Sequence, residues 1–166
     1  LCVNFSQKYD IPVKIVRPFN NYGPGLDIND RRLLPDLARD IFSNKDMVLL
    51  SDGKATRTFC YISDAIAGYI KILTKGRPGE SYNIGTDTPE ISMKDLAEKV
   101  AVIGQLFFDY SGKVVFEQSS EKDYLVDNPN RRCPDITKAH KDLGYDPRIT
   151  LDEGLKKSLL WYQDNH

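Results

Sequence analysis

The residues best suited to chemistry form a polar run at positions 17–25, which reads Arg-Pro-Phe-Asn-Asn-Tyr-Gly-Pro-Gly. The apolar, β-branched segment Ile11 to Val16 leads into this run and predicts a strand that Pro18 ends. Asn20 can donate and accept hydrogen bonds in one pocket, whereas Asn21 is expected to satisfy the following turn. Because open α/β sheets bind ligands at the carboxyl ends of their strands, the sequence predicts a site for a polar, anionic small molecule.

Four arginines have sequence contexts that suit anion binding. Arg17 follows the predicted strand, Arg57 stands in an aromatic segment, and Arg131 and Arg132 are neighbours in a polar stretch. A guanidinium forks onto two phosphate oxygens, so converging arginines would suit a diphosphate. The alternative, more frequent for any single arginine, is a pair with a surface carboxylate. Since adjacent side chains of an extended segment point opposite ways, one of the two neighbours is expected to face a ligand.

Other kinds of site have weak support in the sequence. His140 and His166 are far apart, and no Cys or His pair has zinc-site spacing. Cys60 could be imagined as a thiol nucleophile, but a cysteine in an aromatic strand is far more typical of core packing. The glycines at 23 and 25 lack the third glycine of G-x-G-x-x-G, so they form no dinucleotide fingerprint.

The composition indicates a globular chain with one domain, or one domain plus a fragment. It has 166 residues, 40% of them hydrophobic and 28% charged, and a net charge of -1. The lack of a basic excess disfavours nucleic-acid binding, and no apolar run is long enough to span a membrane. Three cysteines argue against a disulfide framework, so we expect a reducing compartment, the cytoplasm.

The amino-terminal residues have the pattern of a helix that is about to end. Leu1, Phe5 and Tyr9 fall on one helical face, and Pro12 breaks the pattern. The chain starts with Leu rather than Met. We therefore expect a fragment or a processed chain.

Periodicity and capping signals predict the elements that position the polar residues. The predicted strands are Ile11–Val16, Met47–Leu50, Thr56–Ile62, Ser81–Gly85 and Val114–Glu117. Five further helices are predicted. The first begins near Pro35, and the second is Asp64–Lys75, with Ser63 as N-cap and an inward face of Ile66, Ile70 and Leu73. The third is capped by Ser92 and has an inward face of Leu96, Val100 and Ile103; the fourth is capped by Asp135 and ends at Leu143; the fifth starts at Thr150 and is lined by Leu151, Leu155, Leu159 and Tyr162. The polar stretch Gln118 to Pro134 is predicted to be a long loop.

Five motifs together resemble a known family. In chain order they are RPFNNYGPG at 17–25, DGKATRTFCYISDAIA at 52–67, YNIG at 82–85, RRCPDI at 131–136 and LGYDPRITLDEGL at 143–155. The chain resembles the carboxyl-terminal half of extended short-chain dehydrogenases/reductases acting on nucleotide sugars, the UDP-glucuronate decarboxylase, dTDP-glucose 4,6-dehydratase and UDP-glucose 4-epimerase group. The resemblance implies an α/β fold, with the last strands of a Rossmann-type parallel sheet plus a small mixed α/β substrate-binding lobe.

The resemblance also implies roles for individual residues. Asn20 matches the asparagine that holds the nucleotide diphosphate near the reacting sugar, and Arg57 matches the arginine that grips the diphosphate. One of Arg131 and Arg132 matches a second phosphate or ribose contact, and Arg132 is the favoured one.

Three further substrate contacts follow from the same resemblance. Arg32 and Leu33 stand where the family's substrate loop crosses the nucleotide. Leu50 stands where many relatives stack an aromatic ring on the base, so here it offers an apolar wall.

The resemblance implies NAD-dependent 4-keto sugar chemistry in a parent enzyme, which would be a homodimer. Residues 1–166 would be its substrate-binding portion, and the absent amino-terminal portion would bind most of the NAD. None of the nine tyrosines has Lys four residues later, which is the family's catalytic spacing. We therefore expect no catalytic residue here and no turnover by this chain alone. The alternative is a stand-alone, non-catalytic nucleotide-sugar-binding module.

Overall fold

The computed structural model describes residues 1–117 and 129–166, so part of the predicted loop from Gln118 to Pro134 lies outside the described residues. The described helices are α1 (Cys2–Tyr9), α2 (Leu33–Phe42), α3 (Ile62–Lys75), α4 (Met93–Phe107), α5 (Thr137–Leu143) and α6 (Leu151–Asn165). The described strands are β1 (Ile15–Pro18), β2 (Asn21–Tyr22), β3 (Met47–Leu49), β4 (Thr56–Arg57), β5 (Cys60–Tyr61), β6 (Ser81–Ile84), β7 (Ile91–Ser92), β8 (Val114–Phe116) and β9 (Arg131–Arg132).

These elements form two compact units, and each is described by itself. Unit 1 comprises Leu1–Asn21, Thr58–Pro89 and Cys133–Leu151, and unit 2 comprises Tyr22–Arg57, Glu90–Arg132 and Asp152–His166. Each unit draws on three separate stretches of the chain, so a boundary could not be read from sequence composition.

Unit 1 is built on the parallel pair of β1 and β6. Ile15 aligns with Ser81 and Pro18 with Ile84, while α3 packs on both strands and α5 packs on β6 and α3. The predicted strand 11–16 starts too early, because β1 begins at Ile15, but the strand ends at Pro18 as predicted. Pro18 lacks only an N–H, and the next amide, that of Phe19, continues the ladder by donating to the Ile84 carbonyl at 2.9 Å.

Helix α3 turns a different face to the core from the one predicted. Ile66, Ile70 and Leu73 are 47%, 56% and 72% exposed, and the buried residues are instead Ile72 and the small Ala65 and Gly68. A Cβ added to Gly68 would lie 2.8 Å from the Ile84 side chain and 2.9 Å from the Tyr145 ring. The prediction was wrong because α3 is apolar on both sides, and close packing on β6 selects the side with small residues.

The start of α3 also differs from the prediction. The helix begins at Ile62 with Tyr61 as its N-cap, so Ser63 lies inside the first turn. The predicted strand 56–62 is divided into β4 and β5, and α3 begins at Ile62, directly after β5. Asp135, predicted as the cap of α5, still accepts the Thr137 N–H at 2.9 Å although Ile136 is the N-cap.

Unit 2 contains the parallel pair of β3 and β8 and a three-stranded sheet ordered β7-β4-β9. In the latter, β4 runs antiparallel to β7 and parallel to β9. Helix α4 packs on α2, β7 and β8. Ser92 caps α4 as predicted, because its Oγ accepts the Asp95 N–H at 3.0 Å. The predicted first-turn position of Pro35 in α2 is confirmed as well.

The turn at Gly53 fixes the start of α4 against β4. Gly53 adopts a φ of 68°, its carbonyl accepts the Lys94 N–H at 3.0 Å, and the Ala55 carbonyl accepts the Met93 N–H at 3.0 Å. These bonds satisfy amides that a helix start leaves without intrahelical partners. The turn therefore couples β4 to the first turn of α4.

Tyr145 provides a test of unit 1. Its buried hydroxyl donates to the Gly85 carbonyl at 2.9 Å and lies 3.5 Å from Cys60 Sγ. We predict that Tyr145→Phe leaves the Gly85 carbonyl without this donor and lowers the free energy of unfolding by about 1–3 kcal/mol. Urea denaturation followed by circular dichroism measures the change, with Tyr9→Phe at an exposed position as the control. Equal midpoints for the two variants would contradict the prediction.

Candidate functional site

Two arginines stand opposite each other on the short parallel pair of β4 and β9. The register aligns Thr56 with Arg131 and Arg57 with Arg132. The Thr56 N–H donates to the Asn130 carbonyl at 2.8 Å and extends the pairing by one residue. Because successive side chains of a strand alternate between the faces of a sheet, Arg57 and Arg132 project from one face.

The electrostatics of this face favour an anion. Arg57 is only 6% exposed, and its Nη1 donates to the Thr56 carbonyl at 2.7 Å. Burial lowers the pKa of the Arg57 guanidinium, and the positive charge of Arg132 lowers it further. Arg57 nevertheless stays charged near neutral pH, so it can bind phosphate oxygens but cannot exchange protons with a substrate.

The neighbouring Arg131 is held on the opposite face by a carboxylate. Its Nε lies 2.9 and 3.0 Å from the two Glu90 carboxylate oxygens, and its Nη2 lies 2.8 Å from Oε2. The Thr56 hydroxyl also donates to Glu90. The hydrogen bond from Arg131, followed by that from Thr56, lowers the pKa of the Glu90 carboxyl. Of the two adjacent arginines, Arg132 is therefore the one aligned with Arg57.

Sequence reasoning missed Glu90 and Thr56. The signal available for Thr56 was strand alternation, which places it on the face opposite Arg57. Glu90 lies 34 residues from Thr56 and 41 from Arg131, so only the strand pairing of β4 with β7 and β9 reveals its role.

The other predicted substrate contacts of unit 2 lie on different elements. Arg32 is the N-cap of α2 and pairs with Asp30. It therefore makes the pair with a surface carboxylate that is the common alternative to anion binding for an arginine. Leu33 is the first, partly buried residue of α2, and Leu50 follows β3 with 38% exposure. Helix α2 packs on α4 and β3. Their joint use with the arginine pair stays a prediction.

Asn20 belongs to unit 1 and is held there by the segment 58–60. Its Nδ2 donates to the Thr58 carbonyl at 2.8 Å, and its own carbonyl accepts the Cys60 N–H at 3.1 Å. The residue has a φ of 43°, in the left-handed region that asparagine tolerates better than most residues. These bonds give Asn20 a defined backbone position, and its predicted contact with a substrate stays untested.

Asn21 differs from the expectation that it merely satisfies the turn. Its Nδ2 donates to the hydroxyl of Tyr69. Burial raises the pKa of this hydroxyl. Within the described residues, Asn21 Oδ1 and Thr58 Oγ1 are buried without a hydrogen-bond partner. Asn21 is thus tied to α3 through its side chain.

Cys60, weighed above as a thiol nucleophile, has the properties of a core residue. It is 1% exposed, and burial raises the pKa of its thiol to about 11. A thiol with so high a pKa is protonated near neutral pH and is a poor nucleophile. Across residues 1–117 and 129–166, no three His, Cys, Asp or Glu side chains gather as metal ligands would, and no helix combines the length and apolar character needed to cross a bilayer.

Comparison with known sequences identifies relatives along nearly the whole chain. The model of the NAD dependent epimerase/dehydratase family matches residues 1–85. UDP-glucuronic acid decarboxylase 1 of Arabidopsis thaliana is 31% identical over 157 residues, which cover 95% of this chain and 34% of that protein. The dTDP-D-glucose 4,6-dehydratase of Mus musculus is 32% identical over 164 residues, which cover 98% and 44%. The chain thus spans less than half the length of these curated relatives.

Solved structures give the same result for the fold. UDP-glucuronic acid 4-epimerase from Bacillus cereus, solved with UDP-glucuronic acid and NAD, matches with a TM-score of 0.82 and 26% identity, over 99% of this chain and 49% of that one. An epimerase from Methanothermobacter thermautotrophicus matches with a TM-score of 0.85 and 25% identity, over 98% and 46%. The predicted α/β, Rossmann-type fold class and the predicted resemblance are confirmed.

The pair of Arg131 and Glu90 predicts a measurable pH dependence. Because the pKa of Glu90 lies below its ordinary value of 4.5 in the folded chain, the pair is intact above that value and is lost as pH falls through the lowered pKa. We predict that Arg131→Ala moves the Glu90 pKa up towards 4.5, as followed by carbon-detected NMR titration. Arg148→Ala, which removes an exposed guanidinium elsewhere, is expected to leave it unchanged. An unmoved Glu90 pKa in Arg131→Ala would contradict the assignment.

Proposed function

This chain belongs to the NAD dependent epimerase/dehydratase family, and on that premise we propose that it holds the diphosphate of a nucleotide sugar for 4-keto chemistry. The observation that carries the proposal is the register that aligns Arg57 with Arg132. The parent would be a nucleotide-sugar epimerase, dehydratase or decarboxylase. Relatives of all three kinds support this range, and the chain's own residues do not select among them.

The two arginines match the charge of the proposed ligand. A nucleotide sugar has two linked phosphates, each with one negative charge, and a guanidinium can donate to two oxygens of one phosphate. Arg57 is nearly buried, so its charge is weakly screened and binding of an anion relieves its repulsion with Arg132. The predicted sugar contact of Asn20 is a separate proposal for unit 1, where its Nδ2 donates to the Thr58 carbonyl and its carbonyl accepts the Cys60 N–H.

The nucleoside end is assigned to Arg32, Leu33 and Leu50. Leu50 has an exposed aliphatic surface but no aromatic face, so it would cover one side of a base without stacking on it. Arg32 would reach the nucleotide only by leaving its pair with Asp30. This end is therefore expected to contribute less binding free energy than the arginine pair.

NAD is the cofactor that the family name implies, and the residues that follow β1 do not fit it. A dinucleotide cradle needs a glycine-rich turn leading directly from a strand into a helix. Here β1 is followed by β2 and a loop, and α2 starts only at Leu33. We therefore assign most of the NAD contacts to residues outside this chain, in keeping with the greater length of the relatives.

A second candidate function is a non-catalytic nucleotide-sugar-binding module. The observation that favours it is the sequence, in which no tyrosine has Lys four residues later. The arginine pair supports binding in both cases because it cannot transfer protons. The two candidates differ in whether the chain works with a partner polypeptide or segment that holds NAD.

Ligand binding tests the shared claim. We predict that the 166-residue chain binds UDP-glucose or dTDP-glucose in isothermal titration calorimetry. Arg57→Ala and Arg132→Ala should each weaken binding about tenfold or more, because each removes charge-assisted hydrogen bonds to phosphate. Arg148→Ala, at a side chain 82% exposed and paired with Asp146, is the matched control. If Arg57→Ala leaves the affinity for both nucleotide sugars unchanged, the assignment of Arg57 to the binding site is wrong.

Turnover tests the division of chemistry. We predict that the purified chain, mixed with NAD and either nucleotide sugar, forms no epimer or dehydrated 4-keto product by chromatography and mass spectrometry, and no transient absorbance at 340 nm from NADH. The reason is that the described arginine pair binds without proton or hydride transfer. Conversion of either sugar to product by the 166 residues alone would overturn both candidate functions in their present form.

A further inference from the structure

The strand β9 consists of two adjacent arginines, so its alignment with β4 decides which of them shares a sheet face with Arg57. In a strand, a shift of one residue moves each side chain to the other face of the sheet. If β9 moved by one position, Arg131 would stand opposite Arg57 and Arg132 would leave that face. A two-residue strand with exposed side chains has little apolar packing to prevent such a shift.

We propose that Glu90 is a positioning residue that fixes the register of β9, so that Arg132 rather than Arg131 joins Arg57 at the phosphate-binding face. The inference rests on the proposed nucleotide-sugar site and adds to it a residue that contacts no ligand. Glu90 acts through Arg131, which it holds on the opposite face of the sheet by three short N–O contacts of 2.8 to 3.0 Å.

The geometry of β7 places Glu90 on the correct face. In the antiparallel pair, Thr56 aligns with Ser92 and Arg57 with Ile91. Glu90 is two residues before Ser92, so strand alternation puts it on the side of Thr56 and away from Arg57. The hydrogen bond from the Thr56 hydroxyl to Glu90 agrees with this placement. Its carboxylate therefore spans the sheet, from β7 across β4 to β9.

Glu90 is also attached to a fixed support. Ser92, two residues later, caps α4 by accepting the Asp95 N–H at 3.0 Å and donating to the Asp95 carboxylate at 2.7 Å. A carboxylate placed next to a capped helix start has less freedom to follow a shifting strand. The fork of Arg131 on this carboxylate is directional, because two parallel N–H···O bonds require a planar alignment of both groups.

An electrostatic effect and a positioning effect predict different results. Removing the negative charge of Glu90 would by itself strengthen anion binding in every background. Loss of register would instead make the two adjacent arginines interchangeable. The informative quantity is therefore the ratio of the affinity losses caused by Arg132→Ala and Arg131→Ala, from which a uniform charge effect cancels.

The first experiment measures this ratio by calorimetry with UDP-glucose as the probe. With Glu90 present, we expect Arg132→Ala to weaken binding about tenfold and Arg131→Ala by less than about twofold. In the Glu90→Gln background, the two losses should become equal within about twofold. Glu98→Gln, which makes the same charge change on α4 in unit 2, is the control and should retain the original ratio. A ratio that Glu90→Gln leaves unchanged overturns the inference.

The second experiment needs no ligand. The Thr56 amide donates to the Asn130 carbonyl only in the observed register, so its hydrogen exchange reports the pairing. We expect Glu90→Gln to speed this exchange about tenfold or more in NMR, and Glu98→Gln to leave it unchanged. If the hydrogen-exchange rate of the Thr56 amide is unchanged in Glu90→Gln, Glu90 does not fix the register of β9, and the inference is overturned even if ligand binding weakens.

The two proposals fail in different ways. If the wild-type chain binds neither UDP-glucose nor dTDP-glucose, the proposed function falls, and the exchange experiment alone decides whether Glu90 fixes the register. If binding depends on Arg57 but Glu90→Gln changes neither the ratio of the affinity losses nor the exchange rate of the Thr56 amide, the proposed function is supported and the positioning role of Glu90 is refuted.

Discussion

Two positive charges brought into register on neighbouring strands repel each other, and that repulsion constrains the arrangement of unit 2. Arg57 is nearly buried, so water screens it poorly, and Arg132 adds a like charge on the same face. Strand pairing by itself favours no such arrangement, since like charges directly opposite destabilise a sheet. The surrounding contacts supply the stability: the bond from Thr56 to Asn130, the carboxylate of Glu90, and the capped start of α4.

In unit 1, the governing constraint is steric. Helix α3 lies so close to β6 that Gly68 has no room for a Cβ beside Ile84 and Tyr145. This closeness places the side of α3 with Ala65, Gly68 and Ile72 in the core and leaves Ile66, Ile70 and Leu73 exposed. The Tyr145 hydroxyl then bonds the carbonyl of Gly85, directly after β6. Packing and one buried hydrogen bond thus fix the end of β6, which lies within the YNIG motif.

Much of the fold was predictable from the sequence because local signals agree with tertiary structure. The cap at Ser92 and the position of Pro35 at the start of α2 were predicted correctly, since each depends on residues within one turn. The inward face of α3 was read incorrectly, because periodicity cannot choose between two apolar faces when the choice depends on a distant strand. The same limit applied to Glu90, whose partners are 34 and 41 residues away.

The arginine pair also limits what this part of the molecule can do chemically. A guanidinium remains charged even when burial and a like charge lower its pKa, so Arg57 cannot act as a general acid or base near neutral pH. Cys60 is protonated, with a pKa of about 11, and has a buried sulfur. What the pair can supply is fixed positive charge in a poorly screened position, which under the proposed function would orient a diphosphate and lower the entropic cost of bringing its sugar to a reactive group. Under the proposed function, a register error in β9 would therefore impair substrate orientation before it impaired any chemical step.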